Sequence, residues 1–337
     1  MKDAVSPSPL NLFYEHDPAD RWLPLVRRAL RRTTGASVAL QGFRNLCAGL
    51  DRLGIPYRVN NYARLRRHPG EIACVVGEAP VLRKIPCGTP VVFGPAGYDH
   101  PIDDPTLLSD HNIRGVLVSC EWVRKMCEPY WGRKVHAWAE GFDTEGWKPS
   151  PEAPRDIDVL VCDRIRCHPE RDRAAVRDPV IRELEARGLR VAVIGRGDPR
   201  FRTFIGRARS MVLLTEYETR GLALRQALSC DVPVLAWDAG GLWQDTRYHP
   251  HRVQFGPVTS TPDWDDRCGM KFRDAGEFST VFPRFWTDVV EQRFSPRAYM
   301  LENLTLEAGA RRYAELVHRL NFGPLDREAP EDWRRAA

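Results

Sequence analysis

The stretch TEYETRGLALRQALSCDVPVLAWDAGG, residues 215–241, gathers groups suited to a polar, phosphate-bearing ligand. Two carboxylates, Glu216 and Glu218, follow an apolar run at 211–214, and ionised carboxylates accept hydrogen bonds from hydroxyl groups. Gly221, flanked by Arg220 and Leu222, opens a helical pattern, and a helix start directs unpaired backbone N–H groups at anions. Gln226 stands eight residues after Glu218, and its amide can both donate and accept hydrogen bonds. Further upstream, Arg164 and Arg166 follow an apolar run at 157–162. Guanidinium groups grip phosphate bidentately, and the alternative is surface pairing with Asp163 or Glu170. Gly195 and Arg196, before Gly197, follow a third run at 191–194, where the glycines serve either a close backbone approach or a tight turn. Two histidines, His100 in GPAGYDHP and His16 near the N-terminus, are candidate imidazoles.

Other chemistries are missing from the chain. It has no G-x-S-x-G, Walker loop or H-E-x-x-H. The nine cysteines lack C-x-x-C pairs, so structural zinc is not expected, and Cys162, Cys167 and His168 have no second ligand pair. Reduced, buried thiols fit a cytosolic protein.

These candidates need a scaffold that alternates strands with helices. Short apolar runs predict strands at 11–14, 57–59, 72–76, 91–93, 116–119 and 135–138, with helices at 22–30, 38–53 and 121–130 between them. Loop 141–156 holds Pro149, Pro151 and Pro154 and reads as a linker. Strands then resume at 157–162, 191–194, 211–214 and 232–237, with helices ending near 187–188 and covering 222–229, and the segment 278–320 is mostly helical. Repeated βα units predict α/β architecture with parallel sheets and ligands at the strands' carboxyl ends. The expected domains are 1–148, a linker at 149–156, a second Rossmann-like domain at 157–310, and a helix and tail at 311–337.

Glu218, Gly221, Leu222, Ala227, Pro233 and Val234, closed by Asp238-Ala239-Gly240-Gly241, form an ordered series. It resembles the signature of retaining GT-B glycosyltransferases of the group 1, family-four-like type: Glu-x7-Glu within E-G-F-G-L-x-x-x-E-A-x-x-x-G-x-P-V. Gln226 stands where that family has its second Glu, and Asp231 where it has a glycine. Gly141, Asp143, Thr144 and Pro149 are similar to the family's crossing between domains, and 256–274 and 295–316 are similar to its closing segment and terminal helix. The first 60 residues match poorly, and NLFYEHDPADRW lacks the glycine-rich loop often found after the first strand.

The resemblance implies the GT-B fold: two Rossmann-like domains facing across a cleft, with a C-terminal helical tail. It implies retaining transfer of a sugar from a nucleoside diphosphate sugar to a hydroxyl of a glycan, glycolipid or small molecule. Glu218 would hold the donor sugar and position 226 the ribose. Arg164 and Arg166 would hold the diphosphate, with Gly195, Arg196, Glu216, Arg220, Gly221 and Leu222 completing the donor side. His100, or His16 in its place, would approach the sugar from the first domain. No cofactor and no metal are expected, because arginines and a helix N-terminus can stabilise the leaving diphosphate. Two other readings stay open: a nucleic-acid base as acceptor, and a non-catalytic scaffold or binding subunit motivated by Gln226.

The 337 residues, with 43% apolar and 28% charged side chains and a formal charge of +5, describe an ordinary globular chain long enough for two domains. No apolar run approaches membrane-span length and no secretory leader is evident, so a cytoplasmic location is expected. Arginines cluster at Arg27, Arg28, Arg31 and Arg32 and again at Arg64, Arg66 and Arg67. They read either as a solvated face or as a contact for an anionic partner, nucleic acid or the inner face of the membrane.

Overall fold

The computed structural model describes residues 9–14, 38–95 and 97–323. The expected helix at 22–30, the first arginine cluster and His16 lie outside them. The chain divides into two compact units. One comprises the described residues up to Phe142 together with those from Leu304 onward, and the other is Asp143–Asn303.

The first unit is a six-stranded parallel sheet in the order β2-β1-β3-β4-β5-β6. Its strands are β1 Leu10–Phe13, β2 Tyr57–Val59, β3 Ala73–Val75, β4 Val91–Phe93, β5 Ile113–Val118 and β6 Val135–Ala137, and its main helices are α1 Val38–Arg52, α2 Tyr62–Arg67, α3 Leu107–Asp110 and α4 Glu121–Trp131. The strands are short and, except for β2 and β6, almost wholly buried, as parallel strands covered on both faces must be.

The second unit is a five-stranded parallel sheet in the order β11-β10-β9-β7-β8. Its strands are β7 Ile157–Asp163, β8 Val191–Gly195, β9 Ala208–Leu214, β10 Val234–Trp237 and β11 Gly269–Phe272. Helices α5 Pro169–Asp172, α6 Asp178–Ala186, α7 Phe201–Arg207, α8 Leu222–Ser229, α9 Ala275–Val290 and α10 Pro296–Asn303 accompany them. Val180 and Leu184 of α6 and Phe278, Phe282 and Phe285 of α9 pack on the sheet's inner residues Val159, Val161 and Val212. The sequence did not anticipate α7 or β11, whose GMKF has too few apolar residues for a strand pattern.

The last helix, α11 Leu306–Phe322, returns to the first unit. The sequence put residues up to 310 in the second domain and left the rest as a tail. The structure divides the chain at Asn303/Leu304 because Ala310, Tyr313, Ala314 and Val317 of α11 pack into the core formed by Leu12, Leu46 and Leu50. Gly309 makes this possible, since a Cβ there would sit 2.2 Å from the backbone nitrogen of Gly141. Among the described residues no helix is long and apolar enough to cross a membrane.

Candidate functional site

In the second unit the chain leaves β7 toward the edge strand β8, then crosses back to β9 on the other side of β7. The loops after β7 and β9 therefore part in opposite directions at the switch point, where open α/β sheets hold their ligands. Residues 50 or more positions apart meet there because β7 and β9 run in register, with Asp163 opposite Leu214. The N–H of Arg164 continues the ladder by donating to the Leu214 carbonyl at 2.8 Å.

Arg164 and Glu218 meet at this point. Nε of Arg164 donates to Oε1 of Glu218 at 3.1 Å, with the two side chains only 21% and 12% exposed. Arg166 is exposed; its Nη2 donates to the Tyr217 carbonyl at 3.0 Å and its guanidinium lies 4.3 Å from the centre of the Tyr217 ring. Neither arginine pairs with Asp163 or Glu170. Asp163 is buried and instead accepts from the Ile165 N–H, from Nε of Arg173 at 2.8 Å and from Nη1 of Arg177 at 3.1 Å.

Gly221 caps α8 in the left-handed conformation, φ +59°, with no side chain capping the helix. A non-glycine residue is disfavoured there by about 1–2 kcal/mol. No side chain accepts from the first N–H groups of α8, and the helix dipole favours an anion at that end. Leu222 is exposed at the same helix start. Gln226 lies one turn further along, half-buried, and its side-chain amide makes no hydrogen bond among the described residues. Arg220 is half-buried in the turn before Gly221.

Glu216 turns away from this group. Its Oε1 accepts from the backbone N–H groups of Arg166 and Cys167 at 2.9 and 2.7 Å. Burial, with the Glu216 carboxylate adding to it, pushes the Cys167 thiol up to about 11. Cys162 points into the core of β7, where burial pushes its thiol up to about 12. Among the described residues no group of three or more His, Cys, Asp or Glu converges as a metal ion requires.

Asp238, after β10, holds the backbone around Glu218. Its carboxylate accepts from Oγ1 of Thr259 at 2.9 Å, from the Ser260 N–H at 2.9 Å and from Nζ of Lys271 at 3.0 Å, and the Thr259 carbonyl accepts from the Glu218 N–H at 3.0 Å. The sequence showed Asp238 only as the first residue of the run Asp238-Ala239-Gly240-Gly241. The run Thr259-Ser260-Thr261 was the available signal for its partners.

Gly195 ends the edge strand β8 opposite Asp163, and Arg196 and Gly197 form an exposed turn after it, with Gly197 at φ +75°. His100 belongs to the first unit and is 1% exposed; its Nδ1 accepts from the Ile102 N–H at 3.2 Å, and its ring packs edge-on against Tyr130. In this conformation it is a buried helix cap. In the second arginine cluster, Arg64 is held by Glu71, while Arg66 and Arg67 are exposed.

No family model matches the sequence, and no curated protein matches it. Solved structures do. A glycosyltransferase from Rickettsia africae ESF-5 aligns over 93% of this chain and 99% of its own, with 9% identity and a TM-score of 0.53. The apo form of the lipopolysaccharide outer core galactosyltransferase WaaB aligns over 92% and 99%, with 10% identity and a TM-score of 0.51. HepE of Anabaena, solved with UDP and glucose, aligns over 92% and 99% with 13% identity and a TM-score of 0.48. The shared property is the fold: two parallel α/β sheets with C-terminal helices, the GT-B arrangement of glycosyltransferases.

Proposed function

We propose that this chain transfers a glycosyl group, with retained configuration, from a nucleoside diphosphate sugar to a hydroxyl acceptor. The observation that carries the proposal is the meeting of Arg164, Glu218 and the uncapped start of α8 at the switch point of the second sheet. In such a donor the sugar is joined directly to the diphosphate, so a site must present a hydroxyl acceptor and an anion binder side by side. Glu218 and Arg164 are such a neighbouring pair.

In this reading Arg164, Arg166 and the first N–H groups of α8 take the diphosphate and stabilise the charge that grows on it as the glycosidic bond breaks. Glu218 accepts from hydroxyls of the transferred sugar, and the free amide of Gln226 takes the ribose diol. The acceptor is a carbohydrate or another hydroxyl compound. Retention of configuration follows the Glu218 segment's resemblance to the retaining enzymes.

The test is a thermal-shift screen with the five common nucleoside diphosphates and their sugars, followed by turnover of any donor that binds and assignment of the product anomer by NMR. A ligand at 100 times its Kd adds about 2.7 kcal/mol to the folded state. A shift with one base series, with release of the matching diphosphate, is expected. No shift and no turnover with any donor would refute catalysis and favour the scaffold reading.

A further inference from the structure

The loop after β7 has spent its backbone donors. The Arg164 N–H goes to the Leu214 carbonyl at 2.8 Å, the Ile165 N–H to Asp163 at 3.1 Å, and those of Arg166 and Cys167 to Oε1 of Glu216 at 2.9 and 2.7 Å. A glycine-rich phosphate loop works the other way, by pointing its N–H groups at the anion. Within 164–167 the groups left to hold an anion are the guanidinium groups of Arg164 and Arg166. Where those groups reach is set by the backbone that carries them.

Glu216 is what ties that backbone to the next strand's loop. Its Oε2 is shut off from solvent and makes no hydrogen bond among the described residues, so it faces no ligand from that side. Arg166 adds a second tie through the Tyr217 carbonyl and ring. We infer that Glu216 is a positioning residue: it fixes the 164–167 loop by accepting two backbone N–H groups, and so sets both arginines for a diphosphate without touching the donor itself. The inference rests on the proposed function for its ligand and on hydrogen-bond geometry for its mechanism. An acceptor is all the role needs, so a glutamine oxygen can replace the carboxylate.

The experiment uses the full chain, its Glu216→Gln and Glu216→Ala variants, and inorganic pyrophosphate as a base-independent probe. Calorimetry reads pyrophosphate affinity, and peptide mass spectrometry reads how fast the backbone amides of 164–167, two of which Glu216 holds, exchange with deuterium. The glutamine variant should bind pyrophosphate like the wild type and exchange no faster. The alanine variant should bind about tenfold more weakly, the scale of a lost charge-assisted hydrogen bond, and exchange several-fold faster. A folded glutamine variant as weak as alanine would overturn the inference, since charge and not acceptance would then be needed. So would an alanine variant that matches the wild type in both readouts. If the wild type binds neither pyrophosphate nor any nucleoside diphosphate, the proposed function fails. The exchange rates still decide the loop tie: faster in alanine and restored in glutamine upholds it, and no change overturns it.

Discussion

Replacing Glu218 with Gln should move diphosphate binding and sugar transfer in opposite directions. Arg164 is held by Glu218 at 3.1 Å, both side chains mostly buried, so a diphosphate that takes Arg164 must first separate the pair. The gross attraction is ~5 kcal/mol at an effective dielectric of ~20. Solvation of the separated groups offsets most of it, leaving about 1.5 kcal/mol, the low end for a hydrogen bond between charged groups. The amide keeps the shape of the side chain and removes the charge. Nucleoside diphosphate should then bind roughly tenfold tighter, the equivalent of ~1.4 kcal/mol, because Arg164 no longer has to be released. Transfer should fall about a hundredfold, ~2.7 kcal/mol, as the sugar hydroxyls lose a charged acceptor. Calorimetry with the diphosphate that stabilises the wild type gives the first quantity, and initial rates with its sugar give the second. Diphosphate affinity that is unchanged or weaker in the variant would refute the idea that phosphate displaces Glu218 from Arg164. Undiminished transfer would remove Glu218 from the sugar.

Four further outcomes can be checked. Gln226→Glu should keep or tighten nucleotide binding through a charge-assisted bond to the ribose; a tenfold or larger weakening in titration would give position 226 another role. Gly221→Ala should cost about 1–2 kcal/mol in chemical denaturation from its φ of +59° alone, since the new Cβ would meet its nearest neighbour, Pro262, at an ordinary 3.5 Å. Arg297→Ala should cost roughly 2–4 kcal/mol, because Nη1 serves the carbonyls of Thr144, Trp147 and Ser229 at 3.0, 3.2 and 2.7 Å; diphosphate affinity should not change. Asp158→Asn should lower Tm at pH 7, since Arg190 holds the Asp158 carboxyl below the usual carboxylate range. That stabilisation is present above the unfolded value of ~3.9 and is lost as pH falls through the depressed folded value, so the gap between variant and wild type should narrow below pH ~4.

Much of the scaffold was legible because its signals are local. The buried parallel strands β7, β9 and β10 read as apolar runs, and α8 was placed at Leu222–Ser229, the span it occupies. Elements with weak local signals were lost: β11 has a glycine and a lysine among four residues, and α7 carries arginines on a half-exposed surface. The linker's prolines marked the neighbourhood of the crossing. They could not show that the chain crosses back at Leu304, because that return depends on α11 packing against residues more than 250 positions earlier.

The same division runs through the site. Residue types and strand ends picked out Arg164, Arg166, Glu218, Gly221 and Gln226 from sequence, because a parallel sheet delivers its loops to one edge wherever the chain runs βα. Which groups face a ligand was a tertiary matter. Glu216 and Glu218 are two residues apart and were given similar work, yet one accepts from the backbone of the neighbouring loop while the other pairs with Arg164. His100 looked available in a polar loop and is buried as a helix cap. Local patterns determine where strands end, but a side chain's partners are set by the strand order that puts β9 beside β7, which no short stretch of sequence contains.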